Sequence, residues 1–125
     1  MYRININYVF VFFIVFVLSG FFNKLLKSCY KSPRPKNPHK FLASETFMKD
    51  ANGMPSGHTQ VASFALTIAY LFTNKYLYES LLLIFITFIQ RIIYNNHTIL
   101  QLFVGCIVGV LFGISFYKII QYMKI

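Results

Sequence analysis

Three short polar segments interrupt an otherwise apolar chain, and their residue types suit phosphoryl transfer. They read Lys27-x6-Arg34-Pro35, then Pro55-Ser56-Gly57-His58, then Arg91-x5-His97-x3-Gln101. The cations would neutralise the negative charge of a transferring phosphoryl group, and the two histidines would supply a nucleophile and a proton donor. Charged side chains and histidines are costly inside a membrane, so their presence usually marks function.

The second polar segment, Pro55 to His58, predicts a turn followed by the start of a helix. Ser56 is a typical N-cap residue, and Gly57 lets a ligand approach the backbone closely. A helix that begins here directs backbone N–H groups at an anion, with His58 in its first turn. An ordinary turn with a helix cap explains the same four residues equally well.

The third polar segment places His97 and Gln101 four residues apart. If a helix begins near His97, both side chains lie on one face. The side-chain oxygen of Gln101 would then accept the ring N–H of His97, which fixes the tautomer and leaves the other nitrogen as a nucleophile. If Gln101 acts only in this way, Gln101→Asp should keep or raise activity. The alternative is that His97 is simply a hydrogen-bonded polar residue at a membrane interface.

Composition indicates that lipid is the solvent for much of the chain. Apolar residues make up 57% of the 125 residues and charged residues only 12%, against about 25% charged in a typical soluble domain. The net charge of +9 favours an anionic partner such as a lipid headgroup or phosphate, although an ordinary basic patch beside the membrane explains it too. No motif typical of nucleic-acid binding appears, so we expect no nucleic-acid partner.

The hydrophobic pattern predicts an all-α membrane protein with one domain, residues 1–125. The predicted spans are residues 4–26, 57–73, 76–94 and 98–122, with a loop at 27–56 on the catalytic side. A bundle of about four transmembrane helices puts both termini on one side and all three polar segments at the other membrane face. Gly105, Gly109 and Gly113 recur every four residues, which predicts close approach by another helix.

The order and internal spacing of the polar segments resemble the signatures of the type 2 phosphatidic acid phosphatase superfamily. Those signatures are Lys-x6-Arg-Pro, Pro-Ser-Gly-His and Ser-Arg-x5-His-x3-Asp. This chain departs from them at Gln90, which replaces Ser, and at Gln101, which replaces Asp. Residues 53–60, together with Gln101, are similar to the dolichyldiphosphatase branch of the superfamily.

The resemblance implies a metal-independent lipid phosphatase that needs no cofactor. His97 would attack phosphorus and form a phosphohistidine, and His58 would protonate the leaving oxygen. The residues implied in phosphate binding are Lys27, Arg34, Ser56, Gly57 and Arg91. The implied substrate is a lipid phosphate or diphosphate, in particular polyprenyl or dolichyl diphosphate. In a eukaryote the resemblance implies the endoplasmic reticulum membrane, with the active site on the lumenal or outer face.

Two further hypotheses remain open at the level of the sequence. Gln101 and the short chain are also compatible with a weakened or inactive relative that binds anionic lipids. The glycine repeat suggests a small structural or pore-forming protein, but that hypothesis leaves the spacing of the polar segments unexplained. The superfamily core has six helices and this sequence predicts four, so the missing pair is either supplied by a partner or a second copy of the chain, or simply absent.

Overall fold

The structure is a computed structural model that describes residues 5–33, 35 and 53–123. In these residues it contains four helices and no strand: α1 Ile6–Tyr30, α2 Gly57–Thr73, α3 Leu77–Ile93 and α4 Ile99–Tyr122. This confirms the predicted all-α fold. The bounds of α2, α3 and α4 lie within one residue of those predicted from the sequence.

Helix α1 is longer than predicted. It continues past residue 26 to Tyr30, where Lys31 adopts a left-handed conformation with φ of 41°. The Lys31 N–H donates to the Lys27 carbonyl at 3.2 Å, an arrangement that commonly ends a helix. Lys27 therefore lies in the last turn of α1 and not in a loop. The predicted loop 27–56 begins only at Lys31, and its residues 34 and 36–52 lie outside the described part of the chain.

Asparagines mark the two tight connections of the bundle. Asn74 ends α2 with φ of 52°, and its N–H donates to the Tyr70 carbonyl at 2.7 Å. Asn95 follows α3 and also has φ of 52°. Asn visits the left-handed region more readily than most residues because its short polar side chain can hydrogen-bond locally. The chain therefore reverses direction after α2 and again after α3.

Helices α2 and α4 form the most extensive helix pair of the bundle. Their contact depends on the glycine repeat, because a Cβ on Gly105 would lie 2.6 Å from the Ser56 carbonyl oxygen and one on Gly109 would overlap the Gln60 carbonyl oxygen. A Cβ on Gly113 would lie 2.8 Å from the side chain of Thr67. The predicted close helix approach is confirmed, and it fixes where α2 begins relative to α4.

Aromatic contacts join the start of α1 to the ends of α2 and α4. The rings of Tyr8 and Phe72 lie 6.3 Å apart between centroids, and those of Phe72 and Tyr117 lie 5.1 Å apart. A buried cluster of Val15, Phe64, Phe116 and Ile120 continues this packing inward. The N-terminal end of α1 and the C-terminal end of α4 therefore lie at the same end of the bundle, as predicted.

Two of the described helices, α1 and α4, are long and apolar enough to cross a membrane. Helices α2 and α3 have 17 residues each. At the rise of an α-helix this length is about 25 Å, which is at the short limit for a membrane span. The fold thus combines two long helices with two short ones.

Candidate active site

The flanks of the three polar segments meet at the end of the bundle opposite the termini. The Gly53 N–H donates to the Ser32 carbonyl at 2.7 Å, and the Ser56 N–H donates to the Gln101 carbonyl at 3.1 Å. The ring of His97 bonds to the Gly53 carbonyl. Segments far apart in the sequence are therefore joined directly, backbone to backbone or side chain to backbone.

His97 lies in the turn between α3 and α4 and is only 3% exposed. Its Nδ1 is 3.0 Å from the Gly53 carbonyl oxygen. Because a carbonyl oxygen can only accept a hydrogen bond, Nδ1 carries the proton in the neutral ring and the lone pair lies on Nε2. This is the tautomer that a nucleophilic Nε2 requires.

The prediction that Gln101 orients His97 by a direct hydrogen bond is wrong. Helix α4 begins at Ile99 with Thr98 as its N-cap, so His97 precedes the helix and the expected spacing of one helical turn does not apply. Gln101 instead completes a capping box, in which its Oε1 accepts from the Thr98 N–H at 3.0 Å. The Gly53 carbonyl is the partner that Nδ1 of His97 contacts.

Ser56 caps α2, as predicted, and its side chain is occupied by the hydrogen bonds of this cap. Its Oγ donates to Thr59 Oγ1 at 3.1 Å and accepts from the Thr59 N–H at 3.4 Å. The residue is fully buried. Gly57 is the first residue of α2 and is half-buried, so the backbone of this turn reaches the protein surface one residue after the cap.

The remaining predicted site residues occupy three different helices. His58 is exposed in the first turn of α2, and Lys27 is half-buried in the last turn of α1. Arg91 lies in the last turn of α3 and is only 3% exposed. Its carbonyl accepts the N–H of Asn96 at 3.0 Å, which ties α3 to the turn that precedes α4. Arg34 lies outside the described residues.

A buried polar network beneath this end was not predicted from the sequence. Asn23 Nδ2 lies 2.7 Å from Gln60 Oε1 and 3.3 Å from the Pro55 carbonyl oxygen. Gln60 Nε2 donates to the backbone carbonyl and hydroxyl of Ser19 at 2.8 and 2.7 Å. The available signal was the pair Ser19 and Asn23, four residues apart within an apolar span. Both would face one side of a helix, where polar groups need partners.

Nothing in the described ranges 5–33, 35 and 53–123 groups three or more His, Cys, Asp or Glu residues in a way that could hold a metal ion. The functional groups that the helices carry to this end are imidazole, amide, guanidinium and ammonium groups, together with backbone N–H groups. Such groups bind phosphate oxygens and transfer protons.

One of three comparisons with known proteins found a match. A family model described as the PAP2 superfamily matches residues 8–125, a range that includes all three polar segments and nearly all of the four helices. No curated protein and no solved structure matches the chain significantly. The match is to the superfamily as a whole, and it confirms at that level the resemblance seen in the polar segments. The chain belongs to the PAP2 superfamily.

Proposed function

We propose that this protein is an integral-membrane lipid phosphatase that hydrolyses a lipid phosphate or diphosphate and releases inorganic phosphate. The substrate that we propose in particular is polyprenyl or dolichyl diphosphate. Membership of the PAP2 superfamily supports a phosphatase in general, and it indicates a membrane protein together with the two long apolar helices. The observation that carries the proposal is the contact between His97 Nδ1 and the Gly53 carbonyl. It joins His97 to the residues that immediately precede the second polar segment, and in the neutral ring it leaves the lone pair on Nε2.

In the first step, Nε2 of His97 attacks phosphorus. A nitrogen–phosphorus bond forms while the bond from phosphorus to the leaving oxygen breaks. His58 gives its proton to that oxygen, and its exposed position at the start of α2 suits exchange of protons with water. Lys27, Arg34 and Arg91 neutralise the charge that develops on the phosphoryl oxygens.

In the second step, water attacks the phosphorus of the phosphohistidine. His58, now neutral, takes a proton from this water, and the nitrogen–phosphorus bond breaks. Inorganic phosphate leaves, and both histidines return to their starting protonation states. Apart from the substrate and water, the two steps use only groups that the chain carries.

The phosphate contacts at the start of α2 fall to Gly57 and not to the Ser56 side chain. The Ser56 N–H and hydroxyl both have partners inside the protein, so neither is available to a ligand. Gly57 opens the helix, where N–H groups without a helical acceptor and the positive end of the helix dipole favour an anion. Ser56 supports this contact by capping the helix.

The exposed surface of the bundle also supports a lipid substrate. Large apolar side chains are exposed along α1 and α3, as expected of surfaces that face acyl or prenyl chains. We propose that all four helices cross the bilayer, with the site at the lumenal or outer face of the endoplasmic reticulum membrane in a eukaryote. A second copy of the chain is the proposed source of any further helices that the substrate groove requires.

The proposal is tested by phosphate release from a panel of isoprenoid diphosphates, phosphatidic acid and a soluble sugar phosphate. We expect release from the isoprenoid diphosphates that is unaffected by metal chelators and is lost in His97→Ala. Absence of release above the His97→Ala background on every lipid substrate would contradict it. Lipid binding that survives His97→Ala but weakens in Arg91→Ala, without any turnover, would instead support the inactive anionic-lipid binder.

A further inference from the structure

The side chain of Gln101 is fully buried, and the partners of both its polar atoms are residues other than His97. Its Oε1 accepts from the Thr98 N–H at 3.0 Å. Its Nε2 donates to Ser32 Oγ and to the Pro33 carbonyl oxygen, both at 2.9 Å. Gln101 therefore links the start of α4 to the two residues that immediately precede Arg34 in the sequence.

Gly53 lies directly against this side chain. A Cβ built on Gly53 would be 2.5 Å from Gln101 Oε1 and 2.8 Å from its Cδ. The backbone of Gly53 does not have positive φ, so lack of space, and not backbone conformation, requires glycine here. The Gly53 N–H is held by the Ser32 carbonyl at 2.7 Å, and its own carbonyl meets His97 Nδ1 at 3.0 Å.

We propose that the Gly53 carbonyl sets the tautomer and orientation of His97, and that Gln101 is a positioning residue that acts through Gly53 and through Ser32–Pro33. The inference rests on the proposed function, in which His97 is the nucleophile. A backbone carbonyl accepts hydrogen bonds without carrying a full charge, so in the neutral ring it holds the proton on Nδ1 and leaves the lone pair on Nε2. Gln101 fixes the distance between that carbonyl, the start of α4 and the segment that leads to Arg34.

This assignment makes the role of residue 101 different from that of a carboxylate bonded to the histidine. An aspartate at this position is one methylene shorter and has no N–H donor. It would lose both bonds to Ser32 and Pro33, whether or not it could approach His97. A residue that only oriented His97 would affect kcat, whereas a residue that also holds the phosphate-binding segment affects KM as well.

The kinetic test uses the full chain and a lipid diphosphate, with kcat and KM measured separately. We expect Gln101→Asp to lower kcat by about tenfold and to raise KM. Turnover that is kept or raised in Gln101→Asp would overturn the inference, because a direct orienting role predicts that result. Gly20→Ala is the control for the substitution Gly53→Ala, since a Cβ on Gly20 meets nothing within 4 Å.

A double-mutant cycle tests the contact between Gly53 and Gln101. We expect Gly53→Ala to lower kcat by about tenfold in the wild-type background but by less than about threefold in a Gln101→Ala background, where the added methyl group has room. Equal losses in the two backgrounds would contradict a direct contact. No loss in the wild-type background would contradict the role of Gly53 altogether.

The tautomer of His97 provides a measurement that needs no turnover. The chain has three histidines, so ¹⁵N-histidine spectra can be assigned by the signal that disappears in His97→Ala. We expect a protonated Nδ1 in the wild type, because the Gly53 carbonyl can only accept a hydrogen bond. A protonated Nε2 in the wild type would overturn the inference. An inactive protein with the expected tautomer would instead count against the proposed function alone.

Discussion

The two ends of the bundle are held together by different kinds of contact. At the site end, residues 19–33, 53–60 and 96–101, hydrogen bonds connect helices and turns that are distant in sequence, such as Asn23 to Gln60 at 2.7 Å. At the aromatic end, residues 6–16, 64–73 and 112–122, rings make the long-range contacts. Phe72 lies 6.0 Å from Phe116 between ring centroids. A side-chain hydrogen bond at this end joins residues of one helix, as where Gln121 Nε2 donates to the Tyr117 hydroxyl at 2.7 Å.

The difference matters because the two kinds of contact constrain geometry unequally. A hydrogen bond weakens steeply with distance and angle, so a connected set of them fixes the position of a carbonyl such as that of Gly53. Aromatic packing is favourable over a range of ring orientations. We infer that the site end determines the positions of the reacting groups, whereas the aromatic end mainly contributes to the free energy of unfolding.

The largest difference between the two ends is expected from adding a methyl group to the glycines that pack α4 on α2. At the site end, Gly105→Ala places a Cβ 2.6 Å from the Ser56 carbonyl oxygen and 3.1 Å from its nitrogen. Because backbone atoms cannot rotate away, α2 must move, and we expect kcat to fall by about tenfold or more. Phosphate release and thermal unfolding in detergent are the measurements.

Gly113→Ala is the matched variant at the aromatic end. Its nearest neighbours are side-chain atoms of Thr67, at 2.8 and 2.9 Å. We expect a destabilisation of about 1–3 kcal/mol with kcat changed by less than about threefold. If Gly113→Ala lowered kcat as much as Gly105→Ala, the two ends would not differ in the way inferred.

An intermediate effect is expected from removing the buried amide of Gln60. Gln60→Leu leaves Asn23 and Ser19 with fewer partners inside the bundle, and we expect a loss of about 2 kcal/mol in the free energy of unfolding. The Pro55 carbonyl, bound to Asn23, would lose its fixed position, so kcat should fall as well. Gln121→Leu is the control with the same change in chemistry at the aromatic end, and it should leave both quantities nearly unchanged. Equal effects of Gln60→Leu and Gln121→Leu would contradict the inferred difference between the site end and the aromatic end.

The smallest effect is expected from trimming a ring at the aromatic end. Phe72→Leu removes ring contacts with Tyr8, Phe116 and Tyr117. Each aromatic pair contributes about 0.5–1.5 kcal/mol, but Phe72 is exposed and Leu keeps part of the apolar contact, so we expect the free energy of unfolding to fall by about 1–2 kcal/mol. The kcat should stay within about twofold of the wild type. Phe85→Leu, at an exposed position on α3, is the control, and a specific loss of turnover in Phe72→Leu would contradict the inference.

The helices and their arrangement could be predicted because local features determine them. Asn74 and Asn95 end helices by adopting left-handed conformations, and the glycine repeat allows α2 and α4 to touch. Because the number of helices is even, the three polar segments lie at the same end of the bundle. This conclusion needs no knowledge of side-chain contacts. Only the end of α1 was misplaced, since Lys27 is a residue that a helix or a loop accepts equally well.

The hydrogen bonds of the site could not be predicted because they depend on the residue at which α4 begins. Starting α4 near His97 places His97 and Gln101 on one face, whereas the observed start at Ile99 makes Gln101 part of a capping box. The partner of His97 then comes from Gly53, which is 44 positions away in sequence. The pairing of Asn23 with Gln60 is equally remote, and a single sequence contains no local signal for either.

The unequal lengths of the helices have a consequence for the membrane around the protein. In the proposed topology, α2 and α3 are each about 25 Å long, a few ångströms less than the roughly 30 Å hydrocarbon layer. Such hydrophobic mismatch is relieved by local thinning of the bilayer. Since α2 carries His58, the proposed proton donor, at its start, thinning would lower the lipid surface toward this residue. We therefore expect turnover in vesicles to decline as the acyl chains of the host lipid are lengthened.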